Sequence, residues 1–120
     1  MAGVTTREEA PPYAAPAPQW GVATRKYVTE FIGTFFLTFA VGVGALSGSA
    51  YVPLAAGATL MVMVYAGGHI SGGVFNPAVA LGGATAGLFG WSTIWVYLLV
   101  QLAAGTAAGL AFLALNPGDK

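Results

Sequence analysis

The chain contains no cysteine among its 120 residues. It therefore has no disulfide bond, no thiolate nucleophile and no sulfur ligand for a metal. It also has a single histidine, which leaves no cluster of metal ligands and no convincing acid–base pair. We predict from these absences that the protein is not an enzyme and binds neither a metal ion nor another cofactor.

Charged residues are also scarce, at 7% of the chain, whereas a soluble domain carries roughly 25%. Residues 31–118 contain no Asp, Glu, Lys or Arg. Four basic and four acidic residues give a net charge near zero, so there is no basic surface for nucleic acid. Because a soluble domain needs charges to wet its surface, the sequence predicts an integral membrane protein in a lipid bilayer.

Three long apolar stretches are present, and each has a length within the range of about 17–25 residues that is typical of a transmembrane helix. The predicted spans are residues 27–46, 52–68 and 91–115. Arg25 and Lys26 stand just before the first span, which predicts a cytoplasmic N-terminus. Trp91, Trp95 and Tyr97 at the start of the third span are interpreted as interfacial anchors.

The two ends of the chain differ from the spans. Residues 1–22 are rich in Pro and Ala and are predicted to form a disordered cytoplasmic tail, because this composition cannot bury a core. Residues 117–120 are the C-terminal end. The structured unit is expected to be residues 23–116.

A glycine-rich break follows the second span. The segment GGHISGGVF at 67–75 holds four glycines, which predicts a re-entrant loop over 69–75 and a half-helix over 76–88. Irregular backbone at membrane depth survives only when it is buried or lines a watery cavity. The predicted fold is an all-α membrane protein with three transmembrane helices and one re-entrant half-helix. A channel or transporter is favoured, although an ion-coupled transporter normally needs ionisable groups that 31–118 lacks.

The half-helix begins at Asn76-Pro77, a preferred N-cap followed by proline at the first helical position. The free N–H groups of that turn make the end electropositive. Two interpretations remain open on these residues alone. Asn76 either caps a re-entrant turn, or it also aims its amide into a lumen, where it donates to neutral oxygens while the positive end repels cations.

Residues 71–79, SGGVFNPAV, resemble the first signature of the aquaporin family, the major intrinsic proteins. Three further segments are similar to that family, namely TEFIGTFFL at 29–37, GHISG at 68–72 and VQLAAG at 100–105. The resemblance covers about residues 25–116 and implies one half of an inverted-repeat fold. The chain departs from the family in having Ala80 after the signature, no second Asn-Pro-Ala and no arginine after Lys26.

The resemblance implies roles for particular residues. Asn76 would be the pore asparagine, with Pro77 and Ala78 completing its motif. The carbonyl groups of a loop would form a ladder of acceptors, and one position in the second span would belong to the selectivity filter. The ladder residues are Gly72, Gly73 and Val74, and the filter residue is Ala56, whose small size favours a wider pore.

Three polar residues are assigned by the resemblance to bracing the structure. Glu30 would hold the N–H groups of the loop, with snorkelling to the interface as the alternative. His69 is interpreted as structural, with a pH-responsive gate as the alternative. Gln101 is expected to bond to backbone inside the bundle.

The function implied is passive flow of water or small neutral solutes such as glycerol, with a non-conducting truncated subunit as the alternative. The location implied is the plasma membrane. Three spans and a half-helix line only one side of a channel, so this chain is expected not to form a pore alone. We expect it to need a second aquaporin-like half, as the N-terminal half of a longer protein or as a truncated product. A tetramer of complete pores is expected.

Overall fold

The computed structural model describes residues 20–118, and over this range the regular structure is helical. The helices are α1 (Val22–Ser47), α2 (Val52–Ser71), α3 (Pro77–Thr85) and α4 (Trp91–Leu115). Three of them, α1, α2 and α4, are long and apolar enough to cross a membrane, whereas the nine residues of α3 span only about 14 Å. The predicted fold class, three spans and one half-helix, is confirmed.

The three long helices bury little of their own surface, and α1 is the central element among them. It packs against α2 on one side and α4 on the other, and α3 packs against α4. Large apolar side chains such as Tyr65, Leu88 and Leu54 stay more than two thirds exposed. Such a surface is stable against lipid, where apolar groups carry no hydration cost.

Helix boundaries differ from the prediction at the start of α1, the end of α2 and the end of α3, because hydropathy and glycine content do not by themselves fix where a helix ends. Helix α1 begins at Val22, so Arg25 and Lys26 are helical residues rather than a flank. Residue 22 therefore belongs to α1, and residues 20 and 21 precede that helix. Residues 1–19 of the predicted tail lie outside the described residues.

Helix α2 continues to Ser71, and so His69 is helical and not part of a loop. Gly67 does not break the helix. It lies where α1 crosses closely, since a Cβ added there would overlap the methyl group of Thr29. The glycine that ends α2 is Gly72, which has a φ of 90° and donates its N–H to Gly68 O at 2.9 Å.

Helix α3 ends at Thr85, three residues before the predicted end. Gly87 then adopts a φ of 78°, and the N–H of Leu88 donates to Gly83 O at 2.9 Å. This bond closes the end of the helix in the manner of a Schellman turn, and the chain then reverses into α4.

Candidate functional site

The start of α3 is organised by Asn76. Its backbone is extended, with φ −154° and ψ 123°, and its side-chain Oδ1 accepts the N–H of Ala78 at 2.9 Å. Pro77 follows at the first helical position, where no N–H is needed. The cap uses the oxygen of the Asn76 amide, and so its NH₂ group remains available to a further acceptor.

The loop before Asn76 has an unusual backbone. Gly72, Gly73 and Phe75 have φ values of 90°, 64° and 51°. A positive φ costs glycine little, but for phenylalanine it is a strained conformation that the surroundings must hold in place. The Phe75 side chain is 1% exposed, and its ring lies against Gly33 of α1 so closely that a Cβ at Gly33 would overlap it.

Glu30 of α1 holds this loop. Its Oε1 accepts the N–H of Val74 at 3.0 Å and the Oγ hydroxyl of Ser71 at 2.7 Å, and its Oε2 accepts the N–H of Phe75 at 2.7 Å. The Glu30 side chain is fully buried. A buried carboxylate is stable only when donors replace its water, and here the loop backbone supplies two of them.

Gln101 of α4 completes the shell around the carboxylate. Its Nε2 donates to Glu30 Oε2 at 3.0 Å, so the expected bond from Gln101 to backbone is wrong. The carboxylate attracts the amide more strongly than a carbonyl does, because a hydrogen bond to a charged acceptor is roughly twice as strong. All four donors to Glu30 are neutral groups.

Two further residues join this network that the sequence analysis did not assign to it. Ser71 also accepts the N–H of Gly73 at 3.2 Å through its hydroxyl, and the Tyr97 hydroxyl donates to Ser71 O at 2.6 Å. Tyr97 is 2% exposed, and its interpretation as an interfacial anchor is therefore wrong. The signal that could have found it is its spacing, since Tyr97 and Gln101 are four residues apart on one face of α4.

A cavity of about 500 Å³ opens beyond the start of α3. We call it the cleft, and it lies between α1 and α4. Residues 75–77 form its floor, and its walls include Thr34, Thr38, Gln101, Gly105 and Thr106. The Asn76 side chain is exposed at this floor.

Two buried polar atoms in the cleft walls have no hydrogen-bond partner within residues 20–118. They are Thr34 Oγ1 and Gln101 Oε1. Three other helical threonines, Thr29, Thr59 and Thr106, donate to the carbonyl four residues earlier. Thr34 makes no such bond, so its hydroxyl and the Gln101 carbonyl stay buried in the cleft walls without a partner in this part of the chain.

The remaining predicted residues are not all brought together. Gly72, Gly73 and Val74 lie in the loop, and Ala78 lies in the first turn of α3. Ala56 lies near the start of α2 and is not part of the cleft wall. His69 is exposed in the last turn of α2, and its side chain makes no hydrogen bond within the described range.

Comparison with known proteins identifies the family of the chain. The profile of the family described as Major intrinsic protein matches residues 18–119. The chain belongs to this family. The resemblance predicted from the signature residues is thereby confirmed, and the chain is an integral membrane protein of the major intrinsic protein family.

Similar relatives come from plants and bacteria. The chain is 48% identical over 99 residues to Aquaporin NIP1-4 of Oryza sativa subsp. japonica, covering 76% of this chain and 36% of that protein. It is 44% identical over 93 residues to Aquaporin NIP1-1 of Zea mays, covering 70% of the chain and 33% of that protein. It is 43% identical over 104 residues to Aquaporin Z of Rhodopseudomonas palustris, covering 75% of the chain and 42% of that protein.

The chain thus spans between a third and somewhat over two fifths of the length of these curated relatives. No solved structure matches it significantly.

Proposed function

We propose that this chain supplies one half of a pore for passive flow of water and small neutral solutes across the plasma membrane. The observation that carries the proposal is the placement of Asn76. Its oxygen is fixed by Ala78 N–H, which leaves its NH₂ group as a donor at the floor of the cleft. A donor held in this way gives hydrogen bonds to a passing oxygen without having to reorganise.

The loop supplies acceptors to complement that donor. No backbone or side-chain donor within residues 20–118 reaches the carbonyl oxygens of Gly72, Gly73 or Val74. The N–H groups of this loop are used, in contrast, since Gly73 N–H donates to the Ser71 hydroxyl and Val74 N–H donates to the Glu30 carboxylate. With one side of the loop backbone fixed, the opposite side can accept hydrogen bonds from a solute.

The electrostatics of the site favour neutral solutes. The start of α3 carries the positive end of the helix dipole, and residues 31–118 contain no Lys, Arg, Asp or Glu. The buried Glu30 carboxylate is enclosed by its four donors and faces the loop. A cation entering the cleft meets a positive helix end without a compensating carboxylate, so cations and protons are repelled.

A second aquaporin-like half is the partner that the cleft requires. Helix α3 covers only about 14 Å of a cleft whose walls are helices of 26 and 25 residues, roughly 38 Å long. Thr34 Oγ1 and Gln101 Oε1 are buried there without partners among residues 20–118, and each unsatisfied buried group costs about 1–3 kcal/mol. A second half that fills the cleft can donate to both once these side chains turn toward it, and complete pores are expected to assemble as tetramers.

A chimera tests the pore directly. This chain replaces the matching segment of Aquaporin Z of R. palustris, and the chimera is reconstituted in liposomes for stopped-flow measurement of osmotic water permeability. We expect permeability well above that of empty liposomes for the chimera, and none above it for the 120-residue chain alone. A correctly inserted chimera that leaves permeability at the empty-liposome level contradicts the proposal and favours a non-conducting subunit.

Single variants of the chimera assign the role of Asn76. Asn76→Asp keeps an oxygen for the cap but removes the NH₂ donor, so we expect weaker exclusion of ions and lower water flow. Asn116→Asp makes the same chemical change at the end of α4, away from the cleft, and is expected to leave both unchanged. Unchanged ion exclusion in Asn76→Asp removes Asn76 from the pore.

Two further measurements address the finer assignments. Ala56→Phe is expected to reduce glycerol permeability of the chimera more than water permeability, because it narrows the proposed filter.

Cysteines placed at residues 3 and 118 are expected to react from opposite sides of intact cells, with residue 3 on the cytoplasmic side as Arg25 and Lys26 favour. Equal labelling of each cysteine from both sides contradicts a single orientation.

A further inference from the structure

A second depression runs along the other side of α1, between α1 and α2. It consists of three adjoining cavities of about 230, 160 and 440 Å³. The first and second share Thr29 and Ile70 as lining residues, and the second and third share Met63. We call this continuous depression the groove.

The groove has the length of one bilayer leaflet. On α1 it runs along a single stripe, from Arg25 through Thr29 and Ile32 to Phe36. Phe36 lies eleven positions after Arg25, which corresponds to about 16 Å along the helix axis. One leaflet of hydrocarbon is half of roughly 30 Å, so the groove suits a single extended acyl chain.

Below Arg25 and Trp20, the walls of the groove offer no unsatisfied polar side chain to that acyl chain. Below Arg25 the hydroxyl-bearing residues are Thr29 and Thr59, and both hydroxyls are used within their own helices. Thr29 donates to Arg25 O at 2.7 Å and Thr59 donates to Ala55 O at 2.9 Å. A hydrocarbon chain can therefore lie in the groove without leaving a buried polar group unpaired.

The open end of the groove is positively charged. Arg25 lines the outermost cavity together with Trp20, and Trp20 is 53% exposed, as suits a side chain at headgroup level. Across residues 20–118 the one carboxylate side chain is that of Glu30, which is buried and bound to its four donors. The Arg25 guanidinium thus has no acidic partner in this part of the chain, and a phosphate group matches its geometry.

From these observations we infer that the groove is a binding site for an anionic phospholipid. One acyl chain lies between α1 and α2 as far as Phe36, and the headgroup phosphate accepts hydrogen bonds from Arg25. The lipid comes from the leaflet nearest the start of α1. This site is separate from the cleft and does not depend on whether the chain conducts.

Quenching of Trp20 fluorescence tests the site on the full chain. Trp91 and Trp95, which are exposed on α4, are replaced by Phe so that Trp20 is the one tryptophan. The chain is reconstituted in phosphatidylcholine liposomes that contain increasing fractions of 6,7-dibrominated phosphatidylglycerol, or of equally brominated phosphatidylcholine. We expect half-maximal quenching at about a fivefold lower fraction of the anionic lipid, the preference given by one basic residue worth ~1 kcal/mol.

Matched variants separate a site from general attraction. Arg25→Gln is expected to abolish the fivefold preference, whereas Lys26→Gln, with the same loss of charge but outside the groove lining, is expected to keep it. Ala66→Phe fills the groove and is expected to weaken quenching by both lipids, with Ala103→Phe on α4 as its control. Circular dichroism confirms equal helix content in all variants.

Two results overturn the inference. One is equal loss of preference in Arg25→Gln and Lys26→Gln, which assigns the effect to diffuse attraction of lipid by surface charge. The other is unchanged quenching in a folded Ala66→Phe variant, which shows that no acyl chain occupies the groove.

Discussion

Helix α1 presents two unlike sides, the cleft toward α4 and the groove toward α2. Within the described residues, Thr34 on the cleft side has a buried hydroxyl without a partner, whereas Thr29 on the groove side donates to Arg25 O of its own helix. The cleft side also carries Glu30, whose acceptors are used by a loop more than forty residues away. One side is thus built to exchange hydrogen bonds with other segments, and the other to meet hydrocarbon.

Polar side chains contribute to the stability of this protein in different ways on the two sides of α1. In the cleft wall they connect separate elements, so removing one leaves donors unpaired on another element. In the groove a polar side chain bonds locally, and its removal leaves a helix whose backbone is still satisfied. The predictions below test this contrast in the 120-residue chain by unfolding in mixed micelles of mild detergent and SDS, followed by circular dichroism.

The largest effect is expected for Glu30→Ala. The change leaves the N–H groups of Val74 and Phe75, the Ser71 hydroxyl and the Gln101 amide without their acceptor. We expect the free energy of unfolding to fall by about 3–5 kcal/mol, because each neutral donor left buried without its acceptor costs about 1–3 kcal/mol and relief of the desolvation cost of the buried carboxylate offsets part of that sum. The groove control Thr59→Val is expected to change it by less than about 0.5 kcal/mol.

Glu30→Gln refines this comparison. It keeps one acceptor oxygen but turns an NH₂ group toward donors, so an intermediate loss is expected. A Glu30→Ala variant as stable as Thr59→Val contradicts the role of Glu30 in holding the loop.

A smaller effect is expected for Gly33→Ala. A Cβ at residue 33 overlaps the ring of Phe75, which is fully buried and has strained backbone, so the ring must shift. Overpacking of this kind costs about 1–3 kcal/mol of unfolding free energy. The matched control is Gly57→Ala in α2, where a Cβ meets nothing within 4 Å and higher helix propensity stabilises by up to about 1 kcal/mol.

Opposite signs for these two glycine variants are therefore expected. The same sign for both contradicts the close packing of Phe75 on α1.

The smallest effect is expected for Thr34→Val, and its sign depends on context. In the chain alone the substitution removes an unpaired buried hydroxyl, so unfolding free energy is expected to rise by up to about 1 kcal/mol. In the chimera, where a second half fills the cleft, the same substitution is expected to destabilise. Thr29→Val on the groove side serves as the control, and its effect on the unfolding free energy should be the same in the chain alone and in the chimera. If the effect of Thr34→Val is also the same in both, Thr34 does not contact the second half.

Much of the site was predictable because its chemistry is local. Asn76-Pro77 identifies a helix start from two adjacent residues, and the structure shows the cap bond to Ala78 N–H. The glycines were harder to interpret. Gly67 and Gly72 look alike in sequence, but Gly67 permits a close helix crossing and Gly72 ends a helix with a positive φ.

The membrane environment of this protein and its number of spans follow from the amino-acid sequence. The absence of charge over residues 31–118 indicates a membrane protein, and the apolar stretches, the glycine-rich break and Asn76-Pro77 predict three spans and one short helix. Tertiary structure decided which polar groups meet. Glu30 binds donors 41 to 71 residues away, Tyr97 turns inward to Ser71 O, and Gln101 reaches the Glu30 carboxylate instead of backbone. These pairings depend on how α1, α4 and the loop pack in space, because a buried donor binds the acceptor that packing brings within about 3 Å, whatever its position in the sequence.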